Sequence, residues 1–246
     1  MSPSRSILLL LLLALLFAAA AAAACSDARA TPYRGNGVIK TEERSVAAFT
    51  GISLGGAATL HVHRGDKRLV RITTDENLLS HVHVEVEGGE LQLGFDEDCS
   101  IRGVTKLEID VTTPALDALE LSGAVKATVD RFAGDRLRIE NSGAVKLDAA
   151  LDYKTLDLDL SGGGEIALKG TAGEVHIDGS GATRIAAAGL AAKSMQAEFS
   201  GAAQADLRAS ENLDIDVSGA GHVRYFGNPK LTKDVSGVAT IERAGD

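Results

Sequence analysis

The dipeptide Ser-Gly returns at an almost constant interval through the second half of this chain. Its serine stands at seven positions, spaced 18 to 20 residues apart: Ser122, Ser142, Ser161, Ser180, Ser200, Ser218 and Ser236. A fixed period of this length is typical of repeat proteins, in which each unit is too small to bury its apolar side alone and stacks on its neighbours. The sequence therefore predicts a solenoid.

Apolar residues alternate with polar ones on both sides of each Ser-Gly pair. Three residues before the serine stand Leu119, Ile139, Leu158, Ile177, Ala197 and Ile215, with Lys233 as the exception in the last copy. Five residues after the serine stand Ala127, Leu147, Ile166, Ile185, Ala205, Val223 and Ile241. A period of two indicates strands with one buried face. Each repeat is predicted to contain two short strands that meet at Ser-Gly.

The alternation favours one repeat architecture over the others. Helical repeats would show a spacing of about 3.6 residues, and a leucine-rich horseshoe would need an asparagine ladder and a helical side. Neither is present, so the predicted fold class is all-β, a single-stranded parallel β-helix. Its corners are assigned to the glycine of each pair, because glycine adopts positive φ without Cβ strain. These structural corners are Gly123, Gly143, Gly162, Gly181, Gly201, Gly219 and Gly237.

Three segments of the chain resemble the auto-transporter adhesin family with a head GIN domain. The first is Phe49–Leu54, although Ser53 stands where the family name suggests asparagine; the second is the series of Ser-Gly pairs. The third is Val223–Pro229, followed by Lys233 and the last Ser-Gly, so that the similarity spans about residues 44 to 243. The resemblance implies a right-handed β-helix that bacteria export, often with a lipid anchor. These motifs are structural and imply a fold more directly than a function.

The first 24 residues have the composition of a secretory signal peptide. Arg5 precedes an apolar run, Ile7–Phe17, which is followed by alanines. The segment is too short and too rich in alanine for a membrane span. Cys25 comes directly after the alanines, which favours a lipoprotein acylated at Cys25, although Ala22 replaces the larger residue usual in lipoprotein signals. The alternative is ordinary cleavage within the alanines, leaving a soluble exported protein.

The predicted compartment is therefore outside the cytoplasm, either the bacterial periplasm or the outer membrane. Residues 25–37 are predicted to be a flexible tether between the anchor and the fold. If Cys25 is acylated, Cys99 is the only other cysteine and has no disulfide partner. The net charge of −9 and the lack of a basic run argue against nucleic acid as a partner and against electrostatic attachment to anionic lipid, so the lipid anchor is the only expected membrane contact.

Residues 38–113 keep the strand pattern but lack Ser-Gly, and they are predicted to form irregular N-terminal coils or a cap before the regular coils of residues 114–246. Alternating residues on both sides of Gly88–Gly89 predict a β-hairpin. The stacked coils are predicted to begin with the apolar residues Leu107, Ile109 and Val111.

An acidic residue stands two positions before every one of the seven serines: Glu120, Glu140, Asp159, Asp178, Glu198, Asp216 and Asp234. Because these positions alternate with buried ones, their side chains should point outward and stack in a column, about 4.8 Å apart at the backbone. Like charges at this spacing repel by about 1 kcal/mol even in bulk water. In the first coils Lys126, Lys146, Arg184 and Arg138 offset some of this repulsion, and a solvated polar face is the simplest interpretation.

The later coils have fewer cations. We therefore hypothesise that their acids bind a divalent cation, calcium in particular, or a basic partner. The candidate residues are Asp157, Asp159, Asp178, Glu198, Asp214, Asp216 and Asp234. Calcium would require several of these oxygens to converge on one point.

Two His-x-His pairs provide a second candidate metal site. His61 with His63, and His81 with His83, each place two imidazoles on one side of a predicted strand. If the two strands are adjacent, four nitrogens would cluster in a manner suited to zinc or copper. The simpler interpretation is that these histidines are the outward polar residues of alternating strands.

Enzymes built on β-helices place their active sites on long loops that leave the coils. Here the repeat interval varies by only two residues, and no tryptophan is present to form a platform for sugars. Carboxylates on an exposed sheet also lack the burial that tunes one as acid and another as base. The predicted function is a non-enzymatic, exported β-helix without an obligatory cofactor, which presents flat sheet faces to an envelope protein or a glycan. The alternative is a calcium-dependent carbohydrate-binding or polysaccharide-active β-helix.

Overall fold

A computed structural model describes residues 32–96 and 100–245. Within these residues nearly the whole chain is β-strand, and the helical structure is one short 3-10 helix, Glu76–His81. No helix in these two ranges is long and apolar enough to cross a membrane. The predicted signal peptide, Cys25 and Cys99 lie outside the described residues.

The second half of the chain consists of parallel coils that stack in sequence order, so the predicted parallel β-helix is confirmed. Its strands are β10 (Ala118–Leu121), β11 (Ala124–Asn141), β12 (Ala144–Leu160), β13 (Gly163–Gly179), β14 (Ala182–Phe199), β15 (Ala202–Val217), β16 (Ala220–Phe226), β17 (Lys230–Val235) and β18 (Val238–Gly245). Strands β11 to β15 each run for 16 to 18 residues from one Ser-Gly to the next. The prediction of two short strands per repeat was therefore wrong. The pairing register between neighbouring coils shifts within some of these strands, as between Val129 and Phe132, but the strand continues through the shift.

The alternating apolar residues form the interior of the coils. The residues that stand three positions before each serine form one row of the interior, in which Leu119 pairs with Ile139 of the next coil. From Leu119 to Ile215 the side chains of this row are 0 to 3% exposed. Burying one such side chain fully contributes about 1.5–3 kcal/mol. Large and small residues complement one another between coils, because the ring of Phe199 lies where a Cβ on Gly179 would stand.

Glycine is required at the corners because consecutive coils approach each other closely there. The prediction that the corner glycines adopt positive φ was therefore wrong for most of them. Among the seven corners only Gly123 has a left-handed φ, of 98°. At Gly143 and at each later corner, a Cβ would overlap the backbone of the preceding corner glycine. Hydrogen bonds hold this approach, since Ala144 N donates to Gly123 O at 2.7 Å and Ser142 N donates to Leu121 O at 3.1 Å.

The first third of the chain forms an extra coil and a cap. Its strands are β1 (Tyr33–Arg34), β2 (Ile39–Ser45), β3 (Gly51–Leu54), β4 (Ala57–Arg64), β5 (Leu69–Asp75), β6 (Val82–Glu87), β7 (Glu90–Phe95), β8 (Ile101–Arg102) and β9 (Leu107–Thr113). Strands β6 and β7 pair antiparallel around Gly88–Gly89, which confirms the predicted hairpin. Both glycines have positive φ, of 59° and 86°.

The order of stacking in this region differs from the order of the sequence. Strands β3 and β4 form a coil directly beneath β10 and β11, with Gly56 at its corner. Strand β9, where Leu107 was expected to begin the regular stack, pairs with β4 on the side away from β11. Antiparallel strands β5 and β2 follow beyond β9 and cover this end of the stack. The chain thus makes one coil, builds the cap beneath it, and returns above it through Pro114.

The returning segment is fixed by a buried tyrosine. Tyr153, which is 4% exposed, donates its hydroxyl hydrogen to Leu116 O at 2.6 Å. Burial, followed by the negative charge of Asp117, raises the pKa of Tyr153 well above its ordinary value. The phenol is therefore kept neutral and donating, and it links β12 to the crossover.

Part of the predicted tether is ordered against the cap. Tyr33 and Arg34 pair with Ile101 and Arg102 as two short parallel strands. The fully buried carboxylate of Asp75 accepts hydrogen bonds from Gly37 N at 2.7 Å and from Thr105 N at 2.8 Å. Burial alone would raise the pKa of Asp75, but the hydrogen bonds from Thr105 and Gly37 outweigh it and lower the pKa.

Candidate functional site

The seven acids that precede the serines lie side by side in consecutive coils. Pairing registers link Glu120 to Glu140 and continue through Asp159, Asp178, Glu198 and Asp216 to Asp234. We call this row the carboxylate ladder. Glu140 is half-buried and the other six acids are exposed. The rigid sheet spaces their backbones by about 4.8 Å.

Ion pairs with arginines offset the negative charge at the beginning of the carboxylate ladder but not at its end. Arg138 Nε lies 2.7 Å from Glu140 Oε1, and Arg136 Nε lies 2.6 Å from Asp157 Oδ2 in the neighbouring outward row. Among the described residues, no cation forms an ion pair with five acids of the later coils: Asp159, Asp178, Asp214, Asp216 and Asp234. Within the described protein, therefore, no ion pair offsets the repulsion between them.

The lysines expected to offset the ladder lie on another face. Lys126 and Lys146 are neighbours in the strand segments that follow the corner, and the same row continues to Glu165 and Arg184. Lys146 Nζ contacts Glu165 Oε2 at 2.8 Å, and this hydrogen bond and charge lower the pKa of Glu165. The compensation attributed to these cations was wrong, because the bend at Ser-Gly separates positions that are close in sequence.

The surface around the ladder is shallow. A depression of about 320 Å³ lies over the middle coils. The charged residues and the histidine that line it are Arg136, Arg138, Asp157, Asp159, His176, Asp178 and Glu198. Between residues 32–96 and 100–245, no group of three or more His, Cys, Asp or Glu residues is arranged to hold a metal ion. In a row of parallel strands the carboxylates stand side by side, whereas calcium needs oxygens that converge. The geometry therefore gives no support to a calcium site.

The four histidines do not form one cluster. His61 and His63 lie on β4, whose neighbours are β9 and β11, whereas His83 lies on β6, which pairs with β7. His81 ends the 3-10 helix, and its ring lies 4.0 Å from that of Tyr33. The strand adjacency assumed for a zinc or copper site is absent, so that hypothesis was wrong.

Each histidine pair instead contacts nearby acids and hydroxyls. His63 Nδ1 lies 3.1 Å from Asp130 and its Nε2 lies 3.5 Å from Asp110. His61 Nδ1 lies 2.7 Å from Thr128 Oγ1, and His83 Nδ1 lies 3.8 Å from Asp96. These contacts are those of an outward polar row.

Carboxylates with a lowered pKa are held by specific partners outside the ladder. The hydrogen bond from the hydroxyl of Thr171 lowers the pKa of Asp152. Burial acts in the opposite direction, and the nearby Arg131 lowers the pKa further. Lys154 lowers the pKa of Asp135, and Lys106 lowers that of Glu108. Each is a structural ion pair or hydrogen bond, and none places two carboxylates in contrasting environments as an acid–base pair would require.

Comparisons with known proteins agree with the architecture. A family model described as "Putative auto-transporter adhesin, head GIN domain" matches residues 48–229. The solved structure of a putative adhesin from Bacteroides fragilis has a TM-score of 0.82 and 25% identity, covering 86% of this chain and 100% of that one. None of the curated proteins compared with the chain matches it.

Two further solved structures share the fold at lower identity. A putative lipid binding protein from Parabacteroides distasonis has a TM-score of 0.66 and 21% identity, covering 87% of this chain and 99% of its own. A putative adhesin from Parabacteroides merdae has a TM-score of 0.61 and 20% identity, covering 86% of this chain and 98% of its own.

Proposed function

The chain belongs to the family of putative auto-transporter adhesins with a head GIN domain, and from that premise we propose that it is an exported, non-enzymatic β-helix that holds a cationic envelope component against the carboxylate ladder. The family description and the printed name of the Bacteroides fragilis relative support a role in adhesion. The partner is proposed to be an envelope protein or glycan that carries positive groups.

The observation on which the proposal rests is that the acids in the later coils of the carboxylate ladder have no ion-pair partner among the described residues. Asp159, Asp178 and Asp216 occupy equivalent outward positions on a rigid sheet, and no described cation pairs with them. Folding alone does not require an acid there, because any polar side chain satisfies an exposed strand position. Repulsion between neighbours destabilises the free protein slightly, and a bound partner with positive groups along the coil axis would relieve it.

The flatness of this face supports binding rather than catalysis. The depression over the ladder is open to solvent. Its acids are exposed or, like Asp157, half-buried and paired with an arginine, so none has the burial that would tune a catalytic acid. A flat array of charges on rigid strands is suited to a partner that lies along the coils. Such a surface gives specificity through matched charge positions and a strong dependence on salt.

An anchored location completes the proposal. We propose that Cys25 is acylated, so that the domain stays attached to the bacterial outer membrane or its periplasmic side. Metabolic labelling of cells with an alkyne fatty acid should label the wild-type chain and leave Cys25→Ser unlabelled. A labelled Cys25→Ser protein, or an unlabelled wild type, would exclude the anchor without bearing on the ladder.

The ladder is tested with a variant in which four of its acids are neutralised: Asp159→Asn, Asp178→Asn, Glu198→Gln and Asp216→Asn. Purified protein is immobilised, and its binding of isolated cell envelopes is measured with increasing salt. The control neutralises four exposed acids elsewhere: Asp130→Asn, Asp148→Asn, Glu211→Gln and Glu242→Gln. Both variants change the net charge by the same amount, so they separate a local effect from a global one.

We expect the ladder variant to bind envelopes at least about tenfold less than the wild type at low salt, while the control stays close to the wild type. Equal binding by the two variants would contradict the ladder as the contact surface. The release of new reducing ends from envelope glycans would instead identify an enzyme.

A further inference from the structure

A second surface lies on the other side of the glycine corners. The first outward position after each corner is alanine or glycine in successive coils, in register along the axis: Ala57, Ala124, Ala144, Gly163, Ala182, Ala202 and Ala220. Over this row lie two depressions, of about 710 Å³ and about 520 Å³, which share Gly164 in their lining. We call the two together the corner trough.

The charged residues that line the corner trough are all basic or histidine. Lys106, Lys126 and Lys146 line the first depression, and Arg184 and His222 line the second. No described carboxylate lines either one, although the chain has 34 acidic and 25 basic residues. Both depressions of this acidic protein are thus bordered by cations. Glu165 stands between Lys146 and Arg184 in the same outward row and is held by Lys146.

The cations of the trough are available to a ligand. Lys126 and Arg184 form no ion pair with any residue in the described ranges, and Lys126 stands beside Lys146 in the pairing register. Lys146 is paired with Glu165, and Lys106 with Glu108, but the lysine of each pair is about half exposed or more, at 60% and 49%. Exposed pairs of this kind contribute about 0–1 kcal/mol, so an incoming anion can replace the carboxylate.

We propose that the corner trough binds a linear anionic polysaccharide, whose carboxylate or sulfate groups contact Lys126, Lys146 and Arg184. From Ala57 to Ala220 there are six coil steps, so the floor is about 29 Å long. Alanine and glycine leave this floor low and flat, and sugar rings can lie on it while their anionic groups reach the cations. A bilayer with anionic lipids is the alternative partner, and the vesicle titration described below distinguishes it from the polysaccharide.

The trough and the carboxylate ladder lie on different sides of the corner, and either surface can exist without the other. The test therefore uses the trough alone. A fluorescent oligogalacturonate of about eight sugars is titrated with the purified domain, since its carboxylates repeat along a chain that spans the trough. Neutral dextran oligomers of similar length and vesicles of phosphatidylglycerol are titrated in parallel.

The variant combines Lys126→Ala with Arg184→Ala, the two unpaired cations. The matched control combines Lys193→Ala with Lys67→Ala, two exposed lysines in other parts of the chain, and so removes the same charge. Lys126→Arg provides a rescue, because it retains the charge. Thermal unfolding of each protein verifies that the fold is intact, which is expected because all these side chains point outward.

We expect the wild type and the control with Lys193→Ala and Lys67→Ala to bind oligogalacturonate and not dextran. The double variant should bind about tenfold or more weakly, and its plot of log affinity against log salt should be shallower by roughly one to two units. Lys126→Arg should bind like the wild type. Absence of oligogalacturonate binding by the wild type, or equal binding by the double variant, would overturn the proposal. Binding to the vesicles without binding to the oligomer would also overturn it, in favour of a lipid surface.

Discussion

Gly162 lies against Gly143 so closely that a Cβ on Gly162 would overlap the carbonyl oxygen of Gly143. Gly143 has the same relationship to Gly123, and Gly181 to Gly162. The Ser-Gly repeat is therefore needed for close contact between coils. Each corner has to be glycine because the corner glycine of the preceding coil leaves no room for a Cβ. This relationship sets the stacking that produces both the carboxylate ladder and the corner trough.

Gly162→Ala should destabilise the protein by about 1–3 kcal/mol or more, because backbone atoms have to move to admit the methyl group. The control is Gly163→Ala, the next residue, where the nearest atom to an added Cβ is Ala182 O at 3.9 Å. This change should be neutral or slightly stabilising, since alanine reduces the freedom of the unfolded chain. Urea unfolding of the two variants measures the difference, and equal stabilities would contradict close contact at the corner.

Asp178→Asn should stabilise the free protein at low salt by a few tenths of a kcal/mol, because it removes repulsion from Asp159 and Glu198. The gain should fall as salt is added and screens the exposed charges. Asp157→Asn is the contrasting change, since it removes the ion pair with Arg136. Thermal unfolding in low and high salt distinguishes them, and a loss of stability in Asp178→Asn would show that this acid has a favourable partner.

Asp75→Asn should lower the free energy of unfolding by about 1–3 kcal/mol at neutral pH, because an amide cannot accept the hydrogen bonds from both Gly37 and Thr105. The pKa of Asp75 is lowered in the folded state. Its contribution is therefore present above the unfolded pKa of about 4, and is lost as pH falls through the folded value. The stabilities of wild type and variant should converge in acid. A difference that stays constant down to the lowest pH would contradict this assignment, and Asp66→Asn, at an exposed acid, is the control.

Tyr153→Phe should destabilise the protein by about 1–3 kcal/mol, because Leu116 O is left without its donor in a buried site. Tyr225→Phe, at a half-buried tyrosine of β16, is the comparison and should cost less. Denaturant unfolding measures both. If the two variants lose the same stability, the hydroxyl of Tyr153 does not fix the crossover at Leu116.

Lys233→Leu should increase self-association. Lys233 continues the inward file of Ile215 in β17, at the end of the stack, where Val238 is 84% exposed. An inward-pointing charge on a terminal strand discourages another strand from pairing there. Analytical ultracentrifugation should show larger species for Lys233→Leu and none for Lys230→Leu, at an outward position of the same strand. A monomeric Lys233→Leu protein would show that this charge does not protect the edge.

The sequence was sufficient to predict the fold of the regular coils, because burial of the alternating apolar residues dominates there. Alternation at Leu119 and Ile139 identifies the buried face, and a constant interval forces equivalent residues into register. The carboxylate ladder follows from the same two facts. The cap was harder to predict, since nothing local to β9 shows that it pairs with β4 on the side away from β11.

Contacts between distant segments account for most of what the sequence could not reveal. The role of Asp75 depends on Gly37 and Thr105, which lie 38 and 30 residues away. The corner trough was missed because Lys106 and Lys126 come from different coils, although the regular alanine after each Ser-Gly was a visible signal. The prediction of positive φ at the corner glycines was wrong for a similar reason. A close approach between coils and a left-handed backbone both require glycine, and the sequence alone does not distinguish them.

The most direct test of the stacking is a distance along the ladder. Spin labels are attached to Glu120→Cys and Asp216→Cys in a protein whose two native cysteines are serine, and double electron–electron resonance measures their separation. The two positions are five coil steps apart, so their backbones should be separated by about 24 Å. A narrow distribution near that value, allowing for the label arms, is the result expected of a β-helix. A separation near 48 Å would indicate two strands per repeat side by side in one antiparallel sheet, and would contradict the account.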